Sequence, residues 1–111
     1  MYLETEFGAR VKIYVCNVSS ESEVKNCLNR VKNDFRKGID ILINNAGIVT
    51  CLPFEELDGG SIIRTFEVNV YSQFWTIQNV LADMKENNSG HIVSIASIAG
   101  HIGNANLVDY W

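Results

Sequence analysis

At 111 residues, 47% of them hydrophobic, the chain is sized for one small domain of ordinary globular composition. A formal net charge of -4 with no basic block argues against a nucleic-acid partner, which is bound by neutralising phosphates. Cys16, Cys27 and Cys51 are odd in number and lack C-x-x-C spacing, so free thiols are expected rather than a disulfide framework or zinc site.

Residues 10–16, "RVKIYVC", are rich in branched side chains and predict a strand. Ser20 with Glu23 fits a capping box that opens a helix. Val24, Cys27, Leu28, Val31 and Phe35 then recur on one helical face, and Gly38 is the expected stop. Residues 40–44, "DILIN", predict a second strand, covered on both faces. Pro53 and the Gly59-Gly60 pair break the chain before a long periodic segment over about 61–85. Its buried face is expected to carry Ile62, Ile63, Phe66, Phe74, Ile77, Val80, Leu81 and Met84. Residues 91–96 make the third strand. Strands alternating with helices predict an α/β fold with a parallel sheet and right-handed crossovers. There is no internal repeat or linker, so residues 1–111 read as one unit. No apolar run reaches the roughly 18 residues of a membrane span. The acidic start, "MYLETEFGAR", lacks the apolar segment of a signal peptide.

Residues 41–47, "ILINNAG", drive an apolar strand into two amides, an alanine and a glycine. In open α/β sheets a ligand lies beyond the carboxyl ends of the strands. Asn44 and Asn45 would face it there, while Ala46 and Gly47 would let it approach the backbone. The same tetrapeptide could equally make an ordinary turn.

"ILINNAG", "FEVNV", "GHIVSIAS" and a tyrosine thirteen positions after Ser97 follow one another in a fixed order. Together they resemble the short-chain dehydrogenase/reductases. "DILINNAGIVT", "FEVNVYSQFWT" and "GHIVSIASIAGH" are similar to the branch of retinol dehydrogenases and 17β-hydroxysteroid dehydrogenases, which is associated with endoplasmic reticulum and lipid-droplet membranes. The resemblance implies a Rossmann-type fold, of which this chain would hold the third, fourth and fifth strands. It implies NAD or NADP as cofactor and a lipophilic alcohol or its carbonyl as substrate, with a dimer formed through the helix over about 61–85.

Residue by residue, Asn44, Asn45, Ala46 and Gly47 match the family's NNAG, which borders the adenosine side of the cofactor. Asn17 and Val18 match an Asp-Val pair beside the adenine, with an amide in place of the carboxylate. Asn69 matches the asparagine that helps hold a proton-relay water; without that resemblance it would be a solvated or capping residue. Ser97 matches the serine that hydrogen-bonds the substrate oxygen, and Ser94 is its rival. Tyr110 matches the tyrosine that exchanges a proton with that oxygen.

Hydride transfer changes the charge on an oxygen, so a proton donor must stand beside it. A tyrosine with an ordinary pKa of about 10 needs a neighbouring cation to work near neutral pH. In the family a lysine of a Tyr-x-x-x-Lys pair supplies it, and here only Trp111 follows Tyr110. The glycine-rich turn that receives the cofactor diphosphate has no counterpart either, and Gly8 reads as the stop of a helix ahead of the first strand. The expectation is therefore a domain incomplete at both ends, binding cofactor weakly and inactive by itself. The alternative is a non-catalytic, pseudogene-like product that acts only by pairing with a full-length relative. A serine hydrolase is disfavoured, because Ile95 stands where G-x-S-x-G needs its first glycine.

Overall fold

The computed structural model describes residues 8–110. Helix α1 spans Glu21–Phe35, and strand β1 spans Ile41–Asn44. A 3-10 turn at Phe54–Glu56 leads to helix α2, Gly59–Phe66, which passes through a π turn, Glu67–Tyr71, into helix α3, Ser72–Glu86. Strand β2 spans His91–Ser94, and a 3-10 turn follows at Ile98–Gly100. The two strands are parallel, with Ile41 beside His91 and Asn44 beside Ser94. This is the expected α/β crossover, with α2 and α3 connecting the strands.

The expected three-strand sheet is corrected to two strands among the described residues. Residues 10–16 form no strand and instead lie against α1. The Tyr14 hydroxyl donates to Asp34 Oδ2 at 2.7 Å, and Lys12 Nζ stands 3.1 Å from the same oxygen. Arg10 donates to the Asp34 carbonyl and covers the Phe35 ring, and Arg30 covers Tyr14. The polar members of the segment thus meet α1, while Ile13 and Val15 are left exposed. Strand geometry needs a hydrogen-bonded neighbour, and branched side chains alone do not supply one. The helix expected ahead of Gly8 lies outside the described residues; Gly8 itself has φ 61°.

Helix α1 begins as its sequence predicts. Ser20 is the N-cap, and its hydroxyl accepts from the Glu23 amide at 3.3 Å. Glu23 in turn accepts from the Asn17 amide, not from Ser20, so the box closes around a wider loop. The stop is Arg36 in the left-handed region, φ 54°, rather than Gly38. Gly38 serves a different purpose: a Cβ there would stand 3.2 Å from Asp83 Cβ on α3. Lys32 ties the two helices, with Asp83 at 2.7 Å and the Asn79 carbonyl at 2.7 Å.

The long segment over 61–85 is not one helix. Asp58 caps α2 through the Ser61 amide, so Gly59 and Gly60 open the helix instead of breaking the chain. Of its expected buried face, Val80 and Met84 join Leu42 in the core, with Ile77, Leu28 and Ile92 packed around them. Ile63, Phe66 and Phe74 are exposed; the π turn adds a residue to the helical repeat between α2 and α3, so the two helices do not share one continuous apolar stripe. Strand β1 shows Leu42 to α3 and leaves Ile41 and Ile43 outward. All three cysteines are free; burial first, and then the neighbouring Cys27, push the Cys16 thiol up to about 11.

Candidate functional site

A cleft of about 530 Å³ opens beyond the carboxyl ends of β1 and β2. Its size falls within the range of about 300–1,000 Å³ typical of small-molecule sites. Asn45, Ala46 and Gly47 line it together with Asn69, Gln73, Ser97 and Tyr110. Ile48, Val49, Val70 and Ile95 give it an apolar lining.

The loop after β1 is fixed by Asn69. Its Nδ2 donates to the Ile48 carbonyl at 2.9 Å, and its Oδ1 accepts from the Ile48 amide at 2.8 Å. Asn69 can reach because it sits in the π turn, where the Ser72 amide skips back to the Glu67 carbonyl. The polar groups freed there are taken up by side chains. Ser72 Oγ donates to the Val68 carbonyl at 2.6 Å, and Gln73 Nε2 to the Asn69 carbonyl at 2.8 Å. Gln73 Oε1 then accepts from Ser94 Oγ at 2.7 Å, joining the helix to the end of β2. Ser94, the rival of Ser97, is thereby engaged by Gln73.

Ser97 caps the 3-10 turn: its Oγ accepts from the Ala99 amide at 3.1 Å, which leaves its own proton free to donate. Tyr110 closes a turn onto the Leu107 carbonyl at 3.0 Å.

Other sequence-selected residues stand outside the cleft lining. Asn44 turns toward α3, where its Oδ1 accepts from Thr76 Oγ1 at 2.7 Å. Its Nδ2 is buried with no partner among the described residues. Asn17 shapes the entry to α1, accepting from the Ser19 amide and hydroxyl, with Val18 in the same turn. His91 and His101 are exposed. Gln73, Thr76, Thr65 and Asp109 were not legible as site residues. Only the helical spacing of Gln73 from Asn69 and the adjacency of Asp109 to Tyr110 could have drawn notice.

A family profile described as short chain dehydrogenase matches residues 2–111, and the chain belongs to that family. It is 40% identical to a bovine (Bos taurus) short-chain dehydrogenase/reductase family 16C member 6, over 97% of this chain and 34% of the relative. It is 38% identical to human (Homo sapiens) estradiol 17-beta-dehydrogenase 11, over 93% of this chain and 34% of the relative. Human 17-beta-hydroxysteroid dehydrogenase 13 is 36% identical, over 95% of this chain and 35% of the relative. The chain thus spans about a third of the length of these curated relatives. The crystal structure of an NAD+-bound xylitol dehydrogenase superposes with a TM-score of 0.84 at 36% identity, covering 93% of this chain and 40% of the other. The fold is therefore part of a Rossmann-like dehydrogenase fold.

The described residues fit one end of a nicotinamide cofactor and not the other. The cleft has the volume, and in Ser97 and Tyr110 the hydroxyls, to take a nicotinamide ring. Neither of the helix starts capped by a side chain suits a diphosphate: Glu21 and Glu23 occupy the first turn of α1, and the Asp58 carboxylate closes α2.

Proposed function

We propose that the chain forms the substrate-facing part of an NAD(P)-dependent oxidoreductase that interconverts a lipophilic alcohol, such as a retinoid or steroid, and its carbonyl. The observation that carries this reading is the convergence of Ser97, Tyr110 and Asn69 with residues 45–47 on one cleft. The relatives include an estradiol 17-beta-dehydrogenase and a 17-beta-hydroxysteroid dehydrogenase, which supports the substrate class. The apolar lining of Ile48, Val49, Val70 and Ile95 suits a lipophilic body.

In this reading a bound nicotinamide would exchange hydride with the carbinol carbon. Ser97 donates its free hydroxyl proton to the substrate oxygen, and Tyr110 exchanges a proton with it. Asn69 has its side chain committed to Ile48, so it acts by setting the loop wall rather than by touching substrate. Asn45, Ala46 and Gly47 border the cofactor. Asn17 and Val18 would approach an adenine only if residues 10–16 joined the sheet.

The test grafts residues 8–110 into the matching segment of human estradiol 17-beta-dehydrogenase 11, which adds the family's lysine and diphosphate turn. Turnover of steroid or retinoid alcohols, abolished by Tyr110→Phe, is the expected result. A folded graft that binds NADH yet turns over no lipid alcohol would sink the proposal.

A second reading is favoured by the exposure of Phe66, Val70 and Phe74 along α2, the π turn and α3. Such a face suits pairing with a second copy or a full-length relative, as a non-catalytic partner. Sedimentation of the chain with and without that relative separates the two readings, since pairing without turnover belongs only to the second.

A further inference from the structure

Asp109 is buried, 6% exposed, next to Tyr110 in the chain. Its Oδ2 accepts from Thr65 Oγ1 at 2.8 Å, and Thr65 is itself 1% exposed. Thr65 Oγ1 also lies 3.1 Å from the Ser61 carbonyl and 3.3 Å from Thr50 Oγ1. A hydroxyl has one proton, and a carboxylate is the strongest acceptor of the three. The proton therefore goes to Asp109, and Thr50 donates to Thr65. This relay joins three separate pieces: the loop after β1 at Thr50, helix α2 at Thr65 and the turn before Tyr110. Its other oxygen, Oδ1, is buried with no partner among the described residues, so the bond from Thr65 is what offsets the burial of this carboxyl and holds it in place.

We infer that Asp109 is a positioning residue for Tyr110: docked on Thr65, it fixes the 107–110 turn against α2 and holds Tyr110 in the lining of the cleft that Ser97 shares. One Cα step of about 3.8 Å separates the anchor from the root of the phenol. The inference rests on the reading of Tyr110 as the proton-exchanging group.

The first test is ring NMR of labelled Tyr110 in the full chain, with backbone amide exchange. Thr65→Val removes the hydroxyl and keeps the shape. Tyr110 is expected to lose its cleft signature and its amide to exchange faster by about tenfold. The amide of Leu42 keeps its protection, and Thr65→Ser restores Tyr110. Asp109→Ala gives the same change, and the double variant adds nothing further. An unmoved Tyr110 in Thr65→Val, no rescue by Thr65→Ser, or equal loss at Leu42 would overturn the inference.

The second test uses the graft, so that poor folding of a variant in the short chain does not hide the answer. Thr65→Val should lower kcat by about 10–100-fold, as a displaced group does, with KM unchanged. Unchanged kcat, or a change in KM alone, overturns the inference. A graft without any turnover overturns the dehydrogenase reading, and the NMR arm still decides the role of Asp109.

Discussion

Asn69 grips both sides of the Ile48 backbone, donating to its carbonyl at 2.9 Å and accepting from its amide at 2.8 Å. The side chain acts as a short piece of sheet, completing the backbone bonding of a loop that has no neighbouring strand. That contact gives the candidate site its shape, because the loop is one wall of the cleft.

Removing the grip should loosen the wall. Two part-buried hydrogen bonds at about 0.5–1.5 kcal/mol each put the cost of Asn69→Ala at about 1–3 kcal/mol. Urea denaturation measures the loss, and the Ile48 amide should exchange fastest of all. Asn69→Asp keeps the acceptor but sets a carboxylate oxygen against the Ile48 carbonyl, so it should not recover the stability of the parent. An Ile48 amide as protected in Asn69→Ala as in the parent would show the grip to be idle.

Gly90 is a packing point against α3. A Cβ there would stand 2.5 Å from Met84 Cγ and 2.8 Å from Met84 Cβ, nearer than atoms tolerate. Met84 is buried beside Leu42 and Val80, and its Cβ, fixed to α3, cannot give way without moving the helix. Gly90→Ala should therefore cost about 1–3 kcal/mol, as overpacking does. A thermal melt reads it; Gly90→Ala with Met84→Ala should recover part of the clash. Equal melting temperatures for Gly90→Ala and the parent would contradict the close approach.

Residues 10–16 should leave α1 at both extremes of pH. The Tyr14 hydroxyl, and then Lys12, hold the Asp34 carboxyl below its ordinary value of 3.8. A depressed folded value means that the contact adds stability above 3.8, which is lost as pH falls through the lower, folded value. Desolvation, and then the bond to Asp34, raise Tyr14 above its ordinary 10.0. That contribution is present below 10.0 and lost as pH rises through the raised value. Amide exchange across 10–16 should therefore speed up in acid and again in strong alkali. Asp34→Asn should remove the acid limb and Tyr14→Phe the alkaline one. A pH-independent exchange rate, after correction for intrinsic exchange, would rule this out.

The outward side of β1 should govern solubility. Ile41 and Ile43 are 62% and 59% exposed, on a strand whose other edge has no hydrogen-bonded neighbour among the described residues. An open apolar edge templates association. Replacing both by Thr keeps the strand propensity and removes apolar surface, so light scattering should drop at equal concentration. Leu42, which faces α3, should give the opposite result: Leu42→Thr opens the core and increases aggregation. Equal scattering from the parent and the Ile41/Ile43 variant would place the association elsewhere.

Local sequence determined what depends on local physics. Ser20 capped α1, the apolar face from Val24 to Phe35 turned inward, and the two apolar runs paired in parallel as β1 and β2. The order of "NNAG", Asn69, Ser97 and Tyr110 was enough to identify the family, because each belongs to a motif with its own spacing. Tertiary structure decided the rest. Residues 10–16 had the composition of a strand, yet pairing is a property of two segments, and their charges found α1 instead. The periodicity over 61–85 carried no sign of the π turn, which coincides with a contact from Asn69 to Ile48 across 21 positions. Asp109 and Thr65 are 44 positions apart. Neither residue is unusual in its own neighbourhood, and their bond exists only because the fold brings both into the interior and leaves the proton of Thr65 with no stronger acceptor.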